Sequence, residues 1–421
     1  MPPKGCRRLA KRPLGHDDSV EMARMRVLIA HNWYGSSAPS GENQVVLAES
    51  ELLRAHGHEV MMFERHSDDI RGRGLTGAIS GGLAVPWNPF SARRMREVVA
   101  SWKPDVLHAH NTFPLISPAI FPAAGRGPAR VLTLHNYRLL CAAGIPSRDD
   151  RPCALCIEGH TVLPALRYGC YRDSTLATLP IAAGIALHRA RGTWHQDVEA
   201  FIALTDFQRD LLAKGGLPAD RIEVKPNFYP DITPTVPWDE RQPKCVFVGR
   251  LSSEKGILKL VRVWRRWAKN APMLVVIGDG PLRGQLETEA AGANVRFLGQ
   301  QPLADTARHI AHARLLILPS ECYEGFPMVI REAFAFATPV AVSDLGALPS
   351  IVDRGRLGIL LDPYDERAVL EGLREAWSNH ELLRQVGERG HGEFLSRYTA
   401  QANIELLLQI YARALARRRS R

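Results

Sequence analysis

Ten short runs of β-branched and leucine-rich residues, alternating with helix-forming stretches, restrict this chain to a narrow set of folds. Five precede Pro226: RVLIA from Arg26, HEVMMF from His58, DVLHA from Asp105, RVLTL from Arg130 and FIALT from Phe201. Five follow it: CVFVG from Cys245, LVVIG from Leu274, VRFLG from Val295, RLLILP from Arg314 and PVAVS from Pro339. Each is almost continuously apolar and ends in turn or polar residues, as a strand buried on both faces does. Helices are expected between them, among them 256–268 and 327–337. Strand, helix, strand, written twice, predicts an α/β chain of two doubly wound, Rossmann-like parallel sheets.

The length agrees. At about 150 residues per domain, 421 residues suit two large domains better than one. Pro226, Pro230, Pro234, Pro237 and Pro243 mark a connector. The expected division is a disordered tail over 1–24, a first domain over 25–228, a linker over 229–243, a second domain over 244–398, and a terminal helix with a basic, solvated end over 399–421. Ile404, Leu407, Leu408, Tyr411 and Leu415 have the spacing of an amphipathic helix.

Composition excludes several classes. Hydrophobic residues make up 45% and charged residues 23%, enough to bury a core and too ordinary for a disordered chain. The net charge of +10 suits anionic partners such as phosphates or a lipid surface. No nucleic-acid-reading module accompanies it, so nucleic acid is not an expected partner. The apolar stretch LATLPIAAGIALHRA is broken by Pro180 and is too short to span a bilayer. The first residues are basic and lack a signal peptide's apolar core. A cytoplasmic protein is expected, and its basic surface suits either peripheral attachment to the inner face of the membrane or a freely soluble state.

In open α/β sheets ligands sit beyond the carboxyl ends of strands. After the first strand comes a small-residue stretch, Gly35 to Gly41, and then a helix. Its amides suit an anion or a hydroxyl-rich acceptor, or they form only a tight turn. His110 and Asn111 follow the third strand, and His135 and Asn136 the fourth; such pairs line a site or cap their loops. No G-x-G-x-x-G is present, which removes the main support for a nicotinamide site.

The second half carries sharper signals. VFVGRLSSEKG places Arg250 at a strand end and Lys255 at the start of a helix, a cation pair suited to a diphosphate. VIGDGPLR holds Gly278 and Gly280 in a strand-to-helix turn that permits close backbone approach. In PSECYEGFPMVIREAFAFATPVAVS, Pro327 suits a first helical position. Glu324 then falls in the loop beside the amides of Gly325 and Phe326, and Glu332 on the helix. Eight residues along a helix span about 12 Å, too far for a glycosidase pair at roughly 5–9.5 Å. Separate roles, one on a sugar and one on a ribose diol, fit better.

Cys141, Cys153, Cys156 and Cys170 form C-x11-C-x2-C-x13-C. The pattern suits a structural zinc site, and also buried unligated thiols or redox chemistry. Four thiolates would leave no open coordination position, so no catalytic role is expected for such an ion.

FVGRLSSEKG, VIGDGP, KPNF and the Glu-seven-residues-Glu spacing of EGFPMVIREAFAFATPVAVS together resemble the retaining sugar-nucleotide glycosyltransferases of GT-B fold, glycosyltransferase family 4. HAHNTFPLISP and LHNYRLLC resemble the first halves of bacterial members that build surface polysaccharides. The resemblance implies two Rossmann-like domains facing across a cleft, with the terminal helix crossing back to the first. It also implies a nucleotide-sugar donor held by Gly249, Arg250, Lys255, Gly278, Gly280, Glu324, Gly325, Phe326 and Glu332, with no catalytic metal. His135, Arg250, Lys255 and Glu324 would be the catalytic set. Gly41, His110, Asn111 and His135 would face a glycan or lipid-linked acceptor. Ala337 and Pro327 depart from the family, which usually has Gly at each. A cleft-keeping protein without catalysis and an epimerase of the same fold are the competing readings.

Overall fold

The computed structural model describes residues 24–35, 41–71, 73–230 and 234–420. The expected tail lies almost wholly outside them. The first domain contains β1 (Arg26–Trp33), β2 (Glu59–His66), β3 (Val106–Asn111), β4 (Ala129–Leu134), the short β5 (Ser147–Arg148) and β6 (Arg151–Pro152), β7 (Ala200–Ala203) and β8 (Ile222–Val224). The second contains β9 (Gln242–Val248), β10 (Met273–Ile277), β11 (Val295–Gly299), β12 (Ala313–Leu318), β13 (Val340–Ser343) and β14 (Ile359–Leu361). Two six-stranded sheets result, ordered β2-β1-β3-β4-β7-β8 and β11-β10-β9-β12-β13-β14. Every pair in both sheets is parallel. The doubly wound α/β architecture read from the apolar runs is therefore the one observed.

Burial explains the runs. All six residues of β3 and all six of β4 are buried, since helices cover both faces. β8 and β14, three residues each, sit at sheet edges. They are too short for a periodic signal. The predicted helices are trimmed by backbone chemistry: 256–268 runs Ile257–Trp267, and 327–337 runs Met328–Ala335. Pro327 caps this helix at φ −65, ψ 116 and is not its first residue, a correction that leaves the loop before it intact.

The chain order reverses between β1 and β3 in one sheet and between β9 and β12 in the other, so each domain has a crevice at that point. The helix Ala400–Arg419 crosses back to the first domain. Ile404, Leu407, Ile410 and Tyr411 share one core with Val27, Ile29 and Val131 of its sheet. Burying each such side chain contributes about 2 kcal/mol. Contrary to the solvated end that the sequence suggests, not all of the closing basic residues face solvent alone. The Arg417 guanidinium donates to the Asp220 carbonyl at 2.7 Å and the Glu199 carbonyl at 3.4 Å, which ties the helix end to the first domain.

Candidate active site

In the second domain the site is built around β9 and β12. After β9 the chain passes Gly249 and the exposed Arg250, then makes a turn over Ser253–Lys255 before the helix Ile257–Trp267. Gly256 ends that turn at φ +67, and a Cβ there would lie 1.9 Å from the Pro319 carbonyl oxygen. Only glycine lets the turn press so closely on the loop after β12. The Glu321 amide donates to the Glu254 carbonyl at 2.9 Å across the same contact. The result is a short ion pair: Lys255 Nζ donates to Glu324 Oε1 at 2.7 Å, and the Ser320 hydroxyl donates to the same oxygen at 2.6 Å. Burial pulls Lys255 down, but Glu324, together with Cys322 and Glu254, outweighs it and holds the ammonium above its ordinary pKa.

The glycines of VIGDGP approach a neighbouring loop. Gly278 has φ +132, and its Cβ would lie 1.9 Å from the Gly249 carbonyl oxygen. At Gly280 a Cβ would lie 2.4 Å from the Leu251 carbonyl oxygen. They clamp the Gly249–Leu251 segment from behind. The Phe326 side chain is core, packed on Tyr398 with ring centres 5.6 Å apart, so only its main chain is left for a ligand. Glu332 stands on the helix Met328–Ala335 with the Arg331 guanidinium 3.9 Å away; burial raises its pKa.

The first domain presents its β1, β3 and β4 ends to this loop. A Cβ on Gly325 would lie 3.1 Å from the His135 carbonyl oxygen, and one on Gly41 would lie 3.1 Å from Met328 Cγ. Glu324–Gly325 and His135 are thus neighbours across the cleft. Asn111 lies beside His110, but its amide is engaged: Nδ2 donates to the Asn32 carbonyl at 3.0 Å and Oδ1 accepts from the Phe113 amide at 2.9 Å. Asn136 caps its own loop in the same way, through the Arg138 amide. His110, Asn111 and His135 line a cavity of about 80 Å³ with Ile181, Ile185 and His188.

Behind His135 runs a buried polar chain that sequence reasoning missed. His110 Nδ1 is 3.0 Å from His135 Nε2, and His110 Nε2 is 3.4 Å from Glu49 Oε1. Lys225 Nζ donates to Glu49 Oε2 at 2.7 Å. Burial alone would raise Glu49, but Lys225, His110 and His108 hold it well below the usual carboxylate range. Burial also keeps His135 neutral, its pKa well below the ordinary value. Two signals were present in the sequence. Glu49 shares the apolar stripe of helix Gly41–Ala55 with Val45, Val46 and Leu53, and Lys225 opens KPNF.

Among the described residues, Glu49, His108 and His110 form the group of three with ligand atoms within 4.8 Å of one another. The chemistry does not fit a metal. Lys225 already supplies the cation, and His108 is bonded through both nitrogens, to the Tyr411 hydroxyl and the Thr133 hydroxyl at 2.7 Å each.

The profile described as Glycosyltransferase Family 4 matches residues 39–231, and that described as Glycosyl transferases group 1 matches residues 230–392. The chain belongs to glycosyltransferase family 4. Among similar proteins, the phosphatidyl-myo-inositol mannosyltransferase of Mycobacterium leprae is 24% identical over 396 residues, 90% of this chain and 94% of that one. An exopolysaccharide phosphotransferase of Streptomyces coelicolor is 27% identical over 52% of this chain, which spans only 24% of that larger protein. Sucrose-phosphate synthase from Thermosynechococcus elongatus superposes with TM-score 0.66 at 18% identity, over 93% of this chain and all of that one. Anabaena HepE in complex with UDP-glucose gives 0.61 at 16% identity, over 92% of this chain and all of that one. These superpositions establish the GT-B fold. Among the described residues, no helix of this family 4 protein is long and apolar enough to cross a membrane.

Proposed function

We propose that this glycosyltransferase moves a sugar from a nucleoside-diphosphate donor to a carbohydrate or lipid-linked acceptor, with retention of anomeric configuration, in polysaccharide or glycolipid synthesis. The observation that carries the reading is the Lys255–Glu324 pair, 2.7 Å long, at the switch point of the second sheet, on a loop that touches His135. A cation and an acid thus meet beside the main chain of His135. Lys255 and Arg250 would receive the diphosphate, Glu324 the sugar hydroxyls, and Glu332 the ribose diol. As the bond from C1 to the phosphate oxygen breaks, the two cations stabilise the charge developing on the leaving group. The acceptor oxygen bonds to C1 on the same face, and its proton passes to the departing phosphate oxygen. No carboxylate is then required as nucleophile.

A lipid-linked acceptor, and with it peripheral attachment to a membrane, is favoured by exposed apolar side chains on the first domain. Leu83, Phe90 and Leu176 are 74%, 77% and 80% exposed.

The test is an assay of the full chain with a panel of sugar nucleotides and extracts of glycan and lipid acceptors. The anomeric configuration of the product is then read by NMR. Lys255→Ala should lower kcat by about 10²–10³. Near-wild-type turnover in that variant, or sugar-nucleotide isomerisation without acceptor, would contradict the proposal.

A further inference from the structure

Four cysteines line one small void in the first domain. Cys141 ends the loop after β4. The β5–β6 hairpin then reverses the chain through Asp149 and Asp150, at φ +51 and +53. Cys153 follows, its amide bonded to the Pro146 carbonyl at 3.0 Å. Cys156 lies on the turn Leu155–Glu158 and Cys170 beyond the next helix. All four line one void of about 20 Å³, whose other walls include Ile157, Pro164 and Ala165. A void that size admits one body as large as a water molecule. All four cysteines are free of disulfides.

Cationic side chains stand near the cluster. The Gly144 amide donates to the Cys141 carbonyl at 3.0 Å, which folds the chain back beside that cysteine. Arg189 lies near Cys156 with a buried Nη2 that has no hydrogen-bond partner, and Arg148 lies near Cys170. Four thiolates around a dication carry a net charge of about −2, and the two arginines stand beside them.

We propose that Cys141, Cys153, Cys156 and Cys170 bind one zinc ion as a tetrathiolate site that braces the wall of the acceptor-side cavity. Binding displaces four thiol protons to solvent and involves no redox change. Zinc–sulfur bonds of about 2.3 Å place tetrahedral sulfurs about 3.8 Å apart. No three of these sulfurs lie within 4.8 Å of one another, so the ion would draw the 141–170 loop inward. That loop shares a small core with Ile181 and Ile185, through Ala142, Cys156 and Ala165. The same two isoleucines line the cavity with His110 and His135.

The test is elemental analysis of the full chain, purified under reducing conditions and dialysed against zinc and then metal-free buffer. About one zinc per chain is expected. Exchange for Co²⁺ should give the intense visible bands and sulfur-to-metal charge transfer of a tetrahedral thiolate site. Cys153→Ser, at a half-buried position, should lose most of the metal, whereas Cys245→Ala, on β9 of the other domain, should keep it. The wild-type metal content settles the matter even if Cys153→Ser fails to fold. Substoichiometric zinc after reconstitution, iron in place of zinc, a disulfide among the four, or a cobalt derivative lacking the charge-transfer band would overturn the site. A second readout rests on the glycosyl-transfer reading: chelation should raise the acceptor KM and leave nucleotide affinity unchanged. Because metal content is read independently, loss of one reading does not carry the other with it.

Discussion

Lys255 and Glu324 neutralise each other across 2.7 Å, so a donor must compete with that pair for both groups. Glu324→Gln would release Lys255 for phosphate while weakening the hold on sugar hydroxyls. The variant should bind the free nucleoside diphosphate at least as tightly as wild type, and its kcat should fall by about 10²–10³; calorimetry with and without the sugar, beside steady-state rates, checks both. A second prediction concerns pH. Burial lowers His31 and His188 to about 4 from an ordinary 6.5. Both are neutral in the fold, so their contribution is complete above pH 6.5 and is lost as pH falls towards 4. The unfolding midpoint should drop across that window, and His188→Gln should flatten part of the slope. A profile unchanged by the substitution would contradict this. At this scale the charged residues in loops were legible, because Arg, Lys and Glu beside strand ends have few structural uses. Glu49 and His108 were not, since a polar residue inside an apolar stripe shows its partners only once distant segments pack together.

Helix ends show what local chemistry settles. Ala337 follows the helix Met328–Ala335 at φ +54, a left-handed conformation that costs a non-glycine residue about 1–2 kcal/mol. The turn is held there by packing: a Cβ on Gly387 would meet the Ala337 carbonyl oxygen at 2.3 Å. Ala337→Gly should therefore stabilise the protein by about 0.5–1 kcal/mol, after the greater freedom of glycine in the unfolded chain is allowed for. Gly387→Ala should destabilise it. Thermal or urea unfolding measures both, and a destabilised Ala337→Gly would show the turn to be unstrained. The departure at Ala337 was visible in the sequence, but the backbone angle that gives it a cost was not. The terminal helix was legible from its apolar spacing. Its tether was not: the Tyr411 hydroxyl meets His108 at 2.7 Å from 303 residues away. Tyr411→Phe should cost about 1–3 kcal/mol, because it removes a partner from a buried imidazole.

For the whole molecule, two similar sheets put their chain reversals opposite each other, and the charged chemistry gathers where they meet. The architecture was legible because buried parallel strands leave unmistakable apolar runs. The contact between the lobes was not, since it joins segments distant in the chain: the main chain of Gly325 against that of His135, and Phe207 against Tyr323 with ring centres 4.9 Å apart. The Glu49–Lys225 pair joins helix Gly41–Ala55 to the segment that leads into the second domain. Lys225→Met would leave a carboxylate buried and unpaired, at a cost of about 3–5 kcal/mol, measurable as a lowered unfolding midpoint. The most direct measurement of the central claim is titration calorimetry of the full chain with UDP, GDP and ADP, repeated with Lys255→Ala. One of the nucleotides should bind, and the variant should bind it at least tenfold more weakly. Failure of all three to bind, or equal affinity in the variant, would contradict the claim that Lys255 grips the donor.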